Sequence, residues 1–369
     1  MANLVLYRKY RPQLFSEIAG QEHVVKTITN ALASNMTSHA YIFSGPRGSG
    51  KTTIARLLAK AVNCRERKEG EFEPCNKCSS CTEIKEGRSM DLIEIDAASH
   101  RGIDEIRELR DGIRFSPNKE KYKVFVIDEC HQLTKEAVNA LLKTLEEPPG
   151  HAIFVLATTE IHKMIPTIIS RCQRFDFRKL TMAEIVNRLG IISKKERAKI
   201  EKPALELIAL NSGGAERDAE SLLDQVLTFG GTFDREIKAE DVKDLLGLAD
   251  MALIAKFVSF MVKKDGQSAI GFLEQSFEKG YDPQEFAKAL VSYLRQAMLL
   301  KINPSSQNPM ILGLTKEEQE KMKTQIESLS QKEIQKAVNL FMDAENRMKY
   351  SSIPQLPLEV ALVDFLQES

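Results

Sequence analysis

The stretch Gly45-Pro46-Arg47-Gly48-Ser49-Gly50-Lys51-Thr52 has the residue types and spacing of a phosphate cradle, G-x-x-x-x-G-K-[ST]. Its glycines let the backbone curl until several N–H groups point inward at phosphate oxygens. A helix starting at its end adds the positive pole of its dipole. In such a loop Lys51 bridges the β- and γ-phosphates and the Thr52 hydroxyl ligates Mg²⁺, with Thr53 counted in the same binding segment. The expected pairing is ATP with Mg²⁺. A chance glycine loop is the competing reading, and the strand-like run before the motif and helix-like run after it speak against that.

Val124-Phe125-Val126-Ile127-Asp128-Glu129 is the second chemical element, an apolar run ending in two carboxylates. Asp128 at a strand end can hold Mg²⁺, directly or through water. Glu129 is placed to polarise an attacking water as general base. Acidic residues often follow strands, so the pattern is weak alone and gains force from the phosphate loop upstream. Phosphoryl transfer also needs positive charge near the γ-phosphate. Two candidates are Arg171, in Ser170-Arg171-Cys172, and Arg217, in Gly213-Gly214-Ala215-Glu216-Arg217-Asp218. Any one arginine is more often a solvated surface charge.

Four of the six cysteines, Cys64, Cys75, Cys78 and Cys81, form C-x₁₀-C-x₂-C-x₂-C. Two residues between cysteines is the spacing at which neighbouring thiolates chelate one ion. Four thiolates make a closed tetrahedral Zn²⁺ site, structural rather than catalytic. An iron–sulfur cluster is the rival, although the fourth cysteine lies upstream and no Cys-Pro pair follows, and unliganded cysteines are the third reading. Cys130 and Cys172 read as buried singles.

These groups must be positioned by elements. Residues 22–33 read as an amphipathic helix, 39–44 as a strand entering the phosphate loop, and 53–62 as the helix leaving it. Further strands are predicted at 92–95, 124–127, 152–157 and 174–177, with helices at 103–113 and 134–146 between them. Continuous apolar strands alternating with helices predict an α/β domain whose parallel sheet is covered on both faces. Beyond Leu180 no strand is evident. Residues 181–246 read as short helices. Longer helices follow, with apolar stripes Ile254/Phe257/Val258/Met261, Phe286/Ala289/Leu290/Tyr293 and Ile334/Ala337/Val338/Phe341. Packing inside a helical bundle is the favoured reading of those stripes, and subunit assembly is the alternative.

Composition bounds the setting. The 369 residues carry 52 basic and 52 acidic side chains, so any DNA contact must come from a local arrangement or from several subunits together. No apolar run reaches the roughly 18–20 residues of a membrane span, and the N-terminus lacks a signal-peptide core. A cytoplasmic protein is the expectation.

Residues 1–180 closely resemble the gamma/tau family of bacterial DNA polymerase III clamp-loader subunits, within the AAA+ ATPases. The resemblance rests on Tyr7-Arg8-Lys9-Tyr10-Arg11-Pro12, Gly20-Gln21-Glu22-His23-Val24, the phosphate loop and the four-cysteine insertion. It continues through Leu92 to Ser99, Leu141 to Pro149, Leu156-Ala157-Thr158-Thr159 and Ser170-Arg171-Cys172. The family implies an AAA+ P-loop domain over 1–180 with a zinc insertion at 64–81. It implies a small helical lid over 181–247 and an all-helical collar over 248–369 that drives oligomerisation.

The resemblance also implies roles. Arg171 is similar to the arginine finger that reaches a neighbour's ATP, Thr159 (or Thr158) to sensor 1, and Arg217 to sensor 2, acting in cis. Arg8, Arg11 and Pro12 resemble the arm near the nucleotide. The family's activity is ATP-driven opening and loading of a ring-shaped sliding clamp onto primed DNA at replication forks. Its partners are delta- and delta-prime-type subunits, copies of the chain itself, the clamp, primed DNA and, at holoenzyme level, the polymerase. DNA polymerase activity would belong to that holoenzyme, since no polymerising site is evident. Arg101 and Arg107, in Ser99 to Arg107, are the DNA-contact candidates, through phosphates rather than bases. A solvated helix face is their alternative. Two other readings remain, a non-hydrolysing assembly subunit and a branch-migrating motor. The intact Lys51, Thr52, Asp128 and Glu129 argue against the first, and the cysteine insertion and Ser-Arg-Cys motif against the second.

Overall fold

The computed structural model describes residues 4–99, 112–113, 115–229, 235–245, 251–303 and 316–367. Two compact units emerge, one of residues 1–196 and 211–225, the other of 197–210 and 226–369.

The first unit is built on a five-stranded, wholly parallel sheet. Its strands are β1 (Ala40–Ser44), β2 (Leu92–Asp96), β3 (Lys123–Asp128), β4 (Ala152–Thr158) and β5 (Gln173–Asp176), in the order β2-β3-β4-β1-β5. Alternate side chains leave opposite faces. Phe43, Val124, Val126 and Val155 pack into one core, and Ile42, Phe125, Ile127 and Phe154 into another. Hence β1 and β4 are buried along their whole length and read as unbroken apolar runs. The first core is closed by α2 (Glu22–Ala33) and α3 (Lys51–Asn63), with Ile84 of α4 (Ser79–Glu86) joining it, and the second by α5 (Lys135–Glu146); α1 (Leu6–Lys9) lies elsewhere in the unit.

Register aligns the strand ends that carry chemistry. Asp96 pairs with Asp128, and Ser44 with both Thr158 and Asp176. Loops after these ends share the carboxyl edge of the sheet, where open α/β sheets bind ligands. The fifth strand starts at Gln173, one residue earlier than predicted, and ends at Asp176. The helix over 103–113 falls almost wholly outside the described residues. The α6 turn (Pro166–Ile169) precedes Arg171, and α7 (Met182–Lys195) opens with a capping box between Thr181 and Glu184.

Among the described residues beyond Leu180 there is no strand, only a bridge between Ile200 and Ile237. The second unit holds α8 (Lys202–Asn211), α10 (Ala239–Leu245), α11 (Met251–Val262), α12 (Gly266–Glu278), α13 (Pro283–Ile302), α14 (Lys316–Ile326), α15 (Gln331–Met348) and α16 (Leu356–Gln367); α9 is Glu216–Phe229. The three predicted stripes converge on one core, so bundle packing accounts for them. No described helix is long and apolar enough to cross a membrane.

Candidate nucleotide site and metal centre

The loop between β1 and α3 curls because of its glycines. A Cβ on Gly45 would stand 2.4 Å from the Phe177 carbonyl oxygen, so only glycine fits there. Gly50 takes φ +95°, in the left-handed region, and turns the chain into α3. Lys51 is buried, and its ammonium donates to the carbonyl oxygens of Gly45 and Pro46, both at 2.8 Å. Burial pulls its pKa down, while the Glu129 and Asp128 carboxylates pull it back up.

Thr52 and Asp128, 76 residues apart in the chain, meet at 2.8 Å, hydroxyl to carboxylate. This pair presents two oxygens suited to a hard cation. Glu129 adopts φ +48°, a strained value for a residue with a side chain. Its carboxylate accepts from the Thr159 hydroxyl at 2.9 Å and the Thr159 N–H at 3.3 Å. Thr158 is fully buried, and its hydroxyl bonds to His131 Nδ1 at 2.9 Å. Of the two threonines, Thr159 is therefore the one that touches Glu129.

A cavity of about 410 Å³ opens above these groups, lined by residues 47–53 of the loop region (Ser49 excepted), Asp128 and Glu129. Arg11 and Pro12 line it from the N-terminal arm, and Arg217 from the start of α9. The Arg217 guanidinium lies 4.7 Å from the centre of the Tyr7 ring. It draws the Tyr7 hydroxyl below its ordinary pKa, with Arg8 adding to the effect. Arg8 lies 5.8 Å from the same ring and does not line the cavity. Gly45, Pro46 and Ser49 shape the loop from behind.

At the cavity wall, Arg188 binds Glu216 at 2.8 Å and Glu220 at 3.0 Å, and also the Tyr10 carbonyl at 2.6 Å. Burial, with Glu216 beside it, pushes Glu220 up to about 7, and Arg188 opposes the rise. Arg171 lies outside the cavity lining. Its guanidinium bonds Glu146 at 2.7 Å and the Thr167 carbonyl at 2.8 Å. Arg101 and Arg107 lie outside the described residues.

Tyr7, Asp96, Glu216 and Glu220 line the cavity and were not singled out in the sequence. Asp96 carried a usable signal, since it ends a strand as Asp128 does. Glu216 and Glu220 flank Arg217 at helical spacing, but carboxylates are not expected beside a polyanion.

The four cysteine sulfurs lie within 4.8 Å of one another, with Cys75 and Cys81 at 3.9 Å. A tetrahedral ion with sulfurs at about 2.3 Å separates them by roughly 3.8 Å, so the cluster fits one Zn²⁺-sized ion. Cys64 closes α3, Cys78 caps α4 and Cys81 lies in its first turn. Backbone N–H groups of Lys77 and Cys78 point at Cys75 Sγ, at 3.4 and 3.2 Å, a contact that stabilises thiolate. Cys130 and Cys172 stand apart from this centre, and burial raises both thiols, that of Cys172 to about 12.

Residues 20–181 match the family described as DNA polymerase III, delta subunit. Residues 184–232 match the ATPase lid domain of the DNA polymerase III clamp loader subunit, and 237–368 domain III of DNA polymerase III subunits gamma and tau. The chain is 42% identical to DNA polymerase III subunit tau of Bacillus subtilis, over 100% of this chain and 64% of that protein. It is 36% identical to subunit gamma/tau of Mycobacterium tuberculosis, over 99% and 63%. It is 37% identical to subunit gamma of Buchnera aphidicola, over 97% of each. The chain thus spans under two thirds of the first two relatives. Among solved structures, the Thermotoga maritima RuvB branch migration motor overlaps 68% of this chain and 79% of its own at 19% identity, TM-score 0.48.

Proposed function

This chain belongs to the gamma/tau family of DNA polymerase III subunits, and from that premise we propose that it is an ATP-hydrolysing motor subunit of a cytoplasmic clamp loader. The observation that carries the reading is the meeting of Thr52 with Asp128 beside the Glu129–Thr159 pair, under a cavity large enough for a nucleotide. Residues 1–180 act as the ATPase domain, 181–247 as a lid and 248–369 as a collar.

In this reading the N–H groups of residues 45–52 cradle the phosphates. Lys51 exchanges its loop carbonyls for phosphate oxygens. Thr52 and Asp128 would hold Mg²⁺, which would supply neutralising positive charge to bound phosphate. Glu129 orients and deprotonates the attacking water once it leaves Thr159, and the freed Thr159 hydroxyl serves as sensor. Arg217 meets the phosphates in cis, and Arg11 and Pro12 close the other wall. Arg171, away from this cavity and partly exposed, acts on the ATP of a neighbouring subunit. Cys64, Cys75, Cys78 and Cys81 hold a structural Zn²⁺. Partners are delta- and delta-prime-type subunits, further copies, the sliding clamp and primed DNA. Arg101 and Arg107 touch DNA phosphates.

The test is ATP turnover by the reconstituted complex. Clamp and primed DNA together should raise the rate at least tenfold over the complex alone. A rate indifferent to both, or strand displacement on branched DNA, would remove the loader reading.

A further inference from the structure

The cysteine insertion has no role in the chemistry above, yet its side chains reach the arm that walls the cavity. Asn76 sits inside the Cys75–Cys78 knuckle with φ +58°. Its amide Nδ2 donates to the Gln13 carbonyl at 3.2 Å, and its Oδ1 accepts from the Lys60 ammonium. Lys60, buried on α3, also donates to Gln13 Oε1 at 2.9 Å and to the Gln13 carbonyl at 3.3 Å. Gln13 in turn donates from Nε2 to the Arg11 carbonyl at 2.9 Å. Three residues beyond the arm's cavity wall, the Glu73 carboxylate accepts from Phe15 N at 2.8 Å and, through its other oxygen, from Ser16 N at 2.9 Å.

We propose that the insertion is a strut for the nucleotide site: Asn76 and Lys60 clamp Gln13, so that metal binding by the four cysteines fixes where Arg11 and Pro12 stand in the cavity. The inference rests on the reading of that cavity as the nucleotide site. Two routes join the centres. One is covalent, since α3 begins at Lys51 and ends against Cys64, a rigid rod of roughly 20 Å at 1.5 Å per residue. The other is the polar chain Asn76–Gln13–Arg11. Only the second can slacken without unfolding the phosphate loop. The Asn76 side chain is directed by its left-handed backbone, and an ion shared by Cys75 and Cys78 would pin that backbone. Buried polar groups such as Lys60 keep their geometry where every partner is in place. Loss of the ion therefore releases Asn76, leaves Lys60 short of an acceptor and loosens residues 11–17. Asn76 and Lys60 are positioning residues, and neither lines the cavity.

The experiment uses the full chain with a fluorescent N-methylanthraniloyl ATP, zinc content, and hydrogen exchange over residues 10–18. Asn76→Gly keeps the left-handed backbone at no steric cost and deletes the amide. It should retain one zinc per chain, bind the probe about tenfold more weakly and exchange faster at Gln13 to Ser16. Chelating the metal from the wild type should produce the same two changes, and chelating it from Asn76→Gly should add little. Lys60→Met, which fills the same space without a charge, should match Asn76→Gly and serves if the glycine variant loses its zinc. Wild-type affinity and exchange in both variants, or equal losses on chelation with and without Asn76, would overturn the strut. Failure of the wild type to bind the probe, or full binding by Lys51→Ala, would instead strike the nucleotide site itself.

Discussion

In the α/β unit, Lys51, Lys60, Arg188 and Glu220 all lie below the surface, and each is held by partners named above. In the helical unit, the buried polar side chains among the described residues are Ser276 and Gln296, both neutral. Its core is instead Phe257, Phe286, Phe341 and their aliphatic neighbours. A buried charge costs several kcal/mol unless it is paired, so it persists where geometry needs it rather than where stability does. The first unit is thus specified in part by paired buried charges, the second by volume. Substitutions should separate the two: charge deletions in the first should alter function more than folding, and truncations in the second should do the reverse.

The largest effect expected is from Lys51→Ala. Turnover by the assembled complex should fall at least ~10³-fold, since the cation that crosses to the phosphates is gone. The melting midpoint should stay within a few degrees, because the loop carbonyls it leaves can take up water. Calorimetry alongside steady-state ATPase rates checks both halves. A collapse in stability would mean that the ammonium is chiefly a structural pin.

Arg171→Ala follows, with a loss of about 10³-fold in the assembled complex. Nucleotide affinity of the isolated chain should not change, because Arg171 stays outside its own cavity. The slow basal hydrolysis of the isolated chain is the discriminating measurement; if it falls in parallel, Arg171 acts in cis and the comparison between units needs no neighbour.

Phe257→Ala probes the other unit. The Phe257 ring lies 5.4 Å from Phe286, nearly perpendicular to it, and 6.3 Å from Phe341. Truncation should cost about 3–5 kcal/mol in chemical denaturation, from lost burial plus the cavity left behind. Probe nucleotide affinity should survive. A cost below ~1 kcal/mol would mean that the bundle repacks freely.

The same contrast explains what could be read from the sequence. The strands of the first unit were legible because burial on both faces leaves continuous apolar runs, and Val124–Ile127 is one. The stripes of the second were legible from helical spacing, as with Ile254 to Met261. Lys51, Thr52, Asp128 and Glu129 came from motif chemistry, and the Mg²⁺ assigned to both Thr52 and Asp128 implied the meeting that the sheet produces. The Arg188–Glu216–Glu220 cluster was not legible, because its members lie 28 and 32 residues apart and pair only after α7 and α9 pack. The grip of Asn76 on Gln13 was hidden for the same reason: it joins the cysteine knuckle to an arm 63 residues earlier.

The smallest effect sharpens the cost of buried charge directly. Glu220 holds its proton up to about 7 when folded, against 4.5 for an ordinary glutamate. Between these values the folded state binds more protons than the unfolded chain. Stability from this group is therefore fully present below about pH 4.5 and is lost as pH rises towards 7, by up to about 3 kcal/mol. Glu216, raised by the same burial, adds a dependence of the same sign, while the pulls of Arg188 and Arg11 already hold Glu220 down to about 7. Glu220→Gln carries no titrating proton and should flatten the dependence between pH 5 and 8 in denaturation followed by circular dichroism. If wild-type stability rises over that range and the variant abolishes the rise, Arg188 favours the ionised pair, and the cluster at the cavity wall is a net stabiliser rather than a load that the fold tolerates for its nucleotide.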